Sequence, residues 1–139
     1  MNRFLLCGAA LSALVAILHI GCIIFGAPWY RFFGAGEHMA ILADKGSLQP
    51  TFITSFIVIV LFTWSFYALS GAGAIVKLPL LKWALCTITI IYLMRGITGF
   101  FLINNPLGRS PEFWLWSSVI CLSFGIVHLI GLKQAWQTL

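Results

Sequence analysis

Residues 83–103, WALCTITIIYLMRGITGFFLI, decide how this chain folds. The stretch is 21 residues long and almost wholly apolar, which is typical of a helix that spans a membrane. Arg95 is its only charged residue. A cation at that depth costs at least ~2.5–3.5 kcal/mol on insertion scales, so it normally faces the interior of a helix bundle and has a partner there. The main functional question is therefore which group partners Arg95.

The composition of the whole chain is that of a membrane protein. Of its 139 residues, 61% are hydrophobic and only 8% are charged, whereas a soluble domain has about 25% charged residues. Apolar runs predict membrane-spanning helices over residues 4–26, 51–70, 80–103 and 111–133. Because these runs use most of the chain, we predict one polytopic domain over residues 1–139. Its expected fold is an all-α membrane protein, an antiparallel bundle of four transmembrane helices.

The basic residues predict how the helices are oriented. Four of them fall on one side of the predicted membrane, namely Arg3, Lys77, Lys82 and Lys133. Three fall on the other side, Arg31, Lys45 and Arg109, together with the acids Glu37, Asp44 and Glu112. Lysine and arginine are enriched in cytoplasmic loops, so we predict cytoplasmic N- and C-termini. The basic residues are scattered, so the net charge of +5 does not indicate nucleic-acid binding.

The segment between the first two apolar runs predicts a short amphipathic helix. Residues at helical spacing within it are Trp29, Phe32, Phe33, Gly36 and Ala40. We therefore expect a helix over residues 29–45 that lies in the outer membrane interface. Glu37 and Asp44 are seven residues apart and share one face of it. Either acid is a candidate counter-ion for Arg95, or both are solvated loop acids.

The rise of a helix, about 1.5 Å per residue, places several polar side chains in the outer half of the bilayer with Arg95. We expect a ligand-binding pocket there, open to the outer face. Its predicted residues are Arg95, His19, Tyr92, Glu37, His38, Thr54 and Ser118. The guanidinium fork suits a carboxylate or a phosphate, so the expected ligand is an anionic lipid or an anionic small molecule. The alternative is that Glu37 or Asp44 already neutralises Arg95.

The sequence has no motif for a nucleophile, a bound phosphate or a metal-ligand pair. Its four cysteines lie in the apolar runs without a Cys-x-x-Cys, so we predict no metal, no cofactor and no catalytic residue. A binding protein, including a transport-accessory one, is the favoured interpretation. The alternatives are a structural or assembly subunit that forms a homo-oligomer or binds a partner membrane protein, an intramembrane enzyme that uses Glu37, His38 or His19, and a b-type haem protein. His19 and His128 lie roughly 15 Å apart along the axis, which disfavours that pair for haem and leaves His19 with His38.

Three segments carry a resemblance to a known group of proteins. They are residues 29–37 (WYRFFGAGE), 61–73 (LFTWSFYALSGAG) and 78–81 (LPLL), together with the His128-Leu-Ile-Gly sequence near the end. The chain resembles uncharacterised small four-helix inner-membrane proteins of Gram-negative bacteria. That resemblance implies a four-helix architecture and a bacterial inner-membrane location, and it assigns no catalytic residues.

Overall fold

In the computed structural model, which describes all 139 residues, the chain consists of helices joined by turns and loops and contains no strand. Its helices are α1 (Arg3–Phe25), α2 (Ala27–Phe32), α3 (Glu37–Asp44), α4 (Gln49–Ala72), α5 (Leu81–Phe101) and α6 (Pro111–Ala135). Four of them, α1, α4, α5 and α6, are long and apolar enough to cross a membrane. The prediction of an all-helical chain with four candidate membrane spans is therefore confirmed.

Local sequence signals set the ends of the long helices. Asn2 caps α1, since its side-chain oxygen accepts a hydrogen bond from the backbone N–H of Leu5 at 3.0 Å. Ser110 caps α6 in the same way, through the N–H of Phe113 at 3.1 Å, and Pro111 occupies the first helical position. α4 ends at Ala72 and is followed by Gly73, which has the left-handed conformation common after a helix.

The segment predicted as one helix over residues 29–45 contains two helices, α2 and α3, so that prediction is wrong. Gly34 and Gly36 interrupt it with φ values of 71° and 105°, which an L side chain rarely adopts. A Cβ on Gly34 would lie 2.9 Å from the ring of Phe113 in α6, so this turn can pack against α6 only because glycine has no side chain. α3 consequently folds back onto α2.

The long helices associate mainly as two pairs, α1 with α4 and α5 with α6. At one end, the N–H of Asn2 donates to the carbonyl of Ala72 at 2.9 Å, and its side-chain amide donates to the carbonyl of Gly131 at 2.9 Å. At the other end, the α2–α3 turn contacts the connection between α5 and α6, where Gly36 approaches Arg109. We call these the Asn2 end and the Arg109 end.

Small residues let the helices approach closely, as is common in membrane proteins. The Cβ position of Gly96 in α5 lies 2.7 Å from the backbone nitrogen of Leu122 in α6. Between the pairs, the hydroxyls of Ser12 in α1 and Tyr92 in α5 are hydrogen-bonded at 2.8 Å. These contacts fix the register of α5, the helix that carries Arg95.

Candidate functional site

Arg95 reaches from α5 to α6 and is held there by neutral groups. Its Nη2 donates to the hydroxyl of Ser117 at 3.1 Å. Its guanidinium carbon lies 4.9 Å from the ring centroid of Trp114, within the range of a cation–π contact. The indole N–H of Trp114 donates to the carbonyl of Pro106 at 2.7 Å, which fixes the ring. Arg95 is thus positioned between two helices without an ion pair.

Two polar atoms at this site are buried and have no hydrogen-bond partner, namely Nη1 of Arg95 and Oγ of the neighbouring Ser118. Both lie against Gly99. Nη1 is 2.8 Å from the position that a Cβ on Gly99 would take, and Ser118 Oγ is in contact with the same position. Leaving a buried polar group unpaired costs about 1–3 kcal/mol. Each atom can donate a hydrogen, so the two together suit an acceptor oxygen.

The acids considered as counter-ions for Arg95 both pair with Arg31 instead. Arg31 Nη2 lies 3.0 Å from Glu37 Oε1 and 3.0 Å from Asp44 Oδ2. The hydrogen bonds that Arg31 donates to Glu37 and then to Asp44 raise the pKa of Arg31 further above its ordinary value. The physical reason is the glycine turn, which folds α3 back onto α2 and brings both acids to Arg31. Since Glu112 makes no ion pair, Arg95 has no carboxylate partner.

A second arginine without a carboxylate partner lies close to Arg95. The guanidinium carbon of Arg109 is 4.8 Å from the ring centroid of Phe113 and 5.7 Å from that of Trp114. Burial and then the positive charge of Arg95 lower the pKa of Arg109. From the sequence alone, Arg109 served only to predict the orientation of the helices. Its position shortly before Phe113 and Trp114 is the sequence signal that could have identified it as a neighbour of Arg95.

Arg109 also lines a polar cavity of about 320 Å³ at the Arg109 end. The cavity separates the α2–α3 turn from the connection between α5 and α6. None of its lining residues is hydrophobic, and they are Arg31, Gly34, Gly36, Glu37, Gly108, Arg109 and Ser110. This composition suits a charged or polar group rather than a hydrocarbon chain.

Most of the other predicted pocket residues form hydrogen bonds away from Arg95. The hydroxyl of Tyr92 bonds to Ser12, and that of Thr54 bonds to Tyr30 in α2 at 3.0 Å. His19 Nδ1 donates to the carbonyl of Val15 at 2.7 Å. His38 is exposed and its side chain makes no hydrogen bond. Of the predicted set, only Ser118 joins Arg95 in the arrangement around Gly99.

The Ser12–Tyr92 bond explains why His19 and Arg95 do not meet. α1 and α5 both begin near the Asn2 end, where Leu5 and Leu85 contact Gly71. From the level of that hydrogen bond, His19 lies roughly 10 Å further along α1, whereas Arg95 lies only roughly 5 Å further along α5. His19 and Arg95 are therefore at different depths, whereas the sequence predicted that both lie in one pocket.

His128 is fully buried in the core and is a polar residue that the predicted site omitted. Its Nδ1 donates to the carbonyl of Phe124 at 2.8 Å, because a carbonyl can only accept. In the neutral ring, Nε2 then carries a lone pair, and no hydrogen-bond donor faces it. The ring packs against Gly8 of α1, and its centroid lies 5.2 Å from that of Tyr92. No group of three or more His, Cys, Asp or Glu side chains is arranged to hold a metal.

Comparisons of the chain with protein-family models, with curated proteins and with solved structures gave no match. What the protein binds or does is therefore inferred from the site itself. That site offers two guanidinium groups, a free serine hydroxyl and a fixed indole ring, without a hydrogen-bonded pair of nucleophile and base. Guanidinium and hydroxyl donors of this kind suit an anionic group.

Proposed function

We propose that this protein binds an anionic lipid or an anionic small molecule through Arg95. The observation that carries the proposal is that Arg95 lacks a carboxylate partner, while its Nη1 and the hydroxyl of Ser118 are buried and unpaired. An oxygen of an anionic ligand would accept from both groups and would neutralise the charge. Ionisable residues within membrane spans commonly mark such functional sites.

We further infer that the four long helices cross a bacterial inner membrane as an antiparallel bundle, with both termini in the cytoplasm. The excess of lysine and arginine at the Asn2 end supports this orientation. α2 and α3 would then lie at the outer interface, where the side chain of Phe32, 84% exposed, can enter the lipid. Arg95 would lie in the outer half of the bilayer and Arg109 at its outer surface. A transport-accessory role fits an anion site in that position.

The test is the thermal unfolding of Arg95→Gln in neutral detergent, with and without added lipid. Phosphatidylglycerol is expected to raise the unfolding midpoint of the parent protein by roughly 5 °C or more at saturation, because it binds only the folded state. Phosphatidylcholine with the same acyl chains is expected to have little effect. Arg95→Gln is expected to abolish the response to phosphatidylglycerol, because it removes the charge and the guanidinium fork.

Lys45→Gln is the matched control, since Lys45 is exposed at the same end of the molecule and forms no ion pair. It removes the same charge and should keep the full response. The proposal is wrong if Arg95→Gln responds to every lipid as the parent protein does.

The alternative functions make different demands on the same residue. General acid–base catalysis needs an acid or base within about 3 Å of a group held by Arg95, and His19 and Glu37 are bonded elsewhere. An assembly subunit would instead receive a carboxylate for Arg95 from a partner helix. Recovery of a stoichiometric partner or of a homo-oligomer, together with an absent lipid response, would favour that subunit.

A further inference from the structure

Arg95 and Arg109 contact the same aromatic ring. Their guanidinium carbons lie 4.9 Å and 5.7 Å from the ring centroid of Trp114. The hydrogen bond from the indole N–H to Pro106 holds that ring in place. Two positive charges are consequently held around one aromatic ring of α6.

No acidic side chain forms an ion pair with either of these two arginines. Two of the three acids bind Arg31, and the third, Glu112, forms no ion pair. Like charges held close together destabilise the protein that carries them. A departure of this kind from favourable electrostatics is typical of a binding site, because the ligand supplies the missing charge. A ligand with one negative charge would neutralise only one of the two arginines.

Space for a charged head group is available beside Arg109. The polar cavity of about 320 Å³ has Arg109, Gly108 and Ser110 on one side and the paired Arg31 and Glu37 on the other, and no hydrophobic residue lines it. Arg95 is not among its lining residues. The adjoining ends of α5 and α6 expose Phe101 and Trp116, which are 78% and 65% accessible. A polar cavity next to an apolar surface matches an amphiphile, whose head group and hydrocarbon chain need these two environments.

We propose that the ligand is an amphiphile whose head group carries two negative charges, as in a phosphate monoester or a diphosphate, and that Arg95 and Arg109 bind this head group together. The inference rests on the proposed function. It adds two claims, that the head group is doubly charged and that Arg109 takes part in binding. Either claim can be wrong while anion binding through Arg95 is right.

The experiment compares short-chain phosphatidic acid with phosphatidylglycerol of the same acyl chains, by thermal unfolding of the full-length protein in neutral detergent at pH 8. A phosphate monoester is doubly charged at this pH, since its second pKa is about 6, whereas the diester carries one charge. We expect an apparent Kd for phosphatidic acid about tenfold lower than that for phosphatidylglycerol, because a second arginine is engaged. Equal apparent Kd values would overturn the inference and leave the proposed function standing. No response to either lipid would overturn both.

Two variants test the role of Arg109. Arg109→Gln is expected to remove the tenfold preference for phosphatidic acid and to keep the response to phosphatidylglycerol, which Arg95 still binds. Arg109→Lys keeps the charge and should retain at least a severalfold preference. If Arg109→Gln keeps the full preference, or if Arg109→Lys loses as much as Arg109→Gln, the assignment to the charge of Arg109 is wrong. Lys45→Gln, which has the same change in net charge as Arg109→Gln, should behave as the parent protein does.

Inorganic phosphate and inorganic diphosphate distinguish a lipid from a soluble phosphate ester. Neither ion is expected to raise the unfolding midpoint at the concentration where phosphatidic acid saturates, because neither has a chain to bind the apolar surface. A rise as large as that with phosphatidic acid would confirm the doubly charged group but overturn the amphiphile.

Discussion

Gly96→Val is expected to destabilise the protein by about 3 kcal/mol, through separation of α5 from α6. A Cβ at this position would lie 2.7 Å from the backbone nitrogen of Leu122 and 2.8 Å from its Cα. Backbone atoms cannot rotate away as the end of a side chain can, so the helices themselves must move apart. The midpoint of thermal unfolding in detergent should fall. The response to lipid should fall with it, because Arg95 reaches from α5 to α6 beside this contact.

Thr98→Val is the control for that substitution, because Thr98 is an exposed residue of the same helix. It introduces the same side chain, and we expect a change within about 0.5 kcal/mol. An unfolding midpoint of Gly96→Val equal to that of the parent protein would contradict the close packing of α5 on α6.

Gly99→Ala is expected to destabilise the protein by about 2 kcal/mol, and Ser118→Ala should restore most of that loss. The new methyl group would overlap the hydroxyl of Ser118 and would lie 2.8 Å from Nη1 of Arg95. The long side chain of Arg95 can shift at its end, whereas the hydroxyl of Ser118 has little room, so most of the cost is expected to come from Ser118. The measurement is a double-mutant cycle, which compares the unfolding free energies of the parent, both single variants and the double variant.

The same cycle separates stability from ligand binding. Ser118→Ala alone should not lower the stability, since it removes a buried hydroxyl whose lack of a partner costs about 1–3 kcal/mol. The double variant should be stable and should bind anionic lipid more weakly than the parent, because a methyl group replaces the donor. Simple additivity of the two single effects would show that Gly99 and Ser118 are not in contact.

The four candidate spans could be predicted because hydropathy over about 20 residues depends only on local sequence. The two-helix structure of residues 27–44 could not be obtained from helical spacing alone. Gly34 and Gly36 fit a helical pattern as small residues, and their positive φ values become necessary only where the turn meets Phe113. The prediction of a single helix then also separated Glu37 and Asp44 from Arg31, their actual partner.

The contents of the candidate site were predictable only in part. Arg95 follows from its charge in an apolar run, and Ser118 follows from its helical face and depth. The hydrogen bond between Ser12 and Tyr92 joins two helices that are distant in sequence, and such a pairing cannot be deduced from one chain by spacing. Arg109 was missed because it lies outside the predicted spans, where an arginine is expected to be solvated.

The cavity beside Arg109 has a mechanical consequence, because its walls belong to different halves of the molecule. Arg31, Gly34 and Glu37 come from the α2–α3 segment, which packs on α1 and α4. Arg109 and Ser110 precede α6 and belong with the α5–α6 pair. A head group in the cavity would contact both halves at one end and connect them. With the cavity empty, only contacts between protein residues connect the two halves there. We therefore expect a bound ligand to stiffen the molecule as a whole. Release of the ligand should let the α1–α4 pair and the α5–α6 pair move relative to each other.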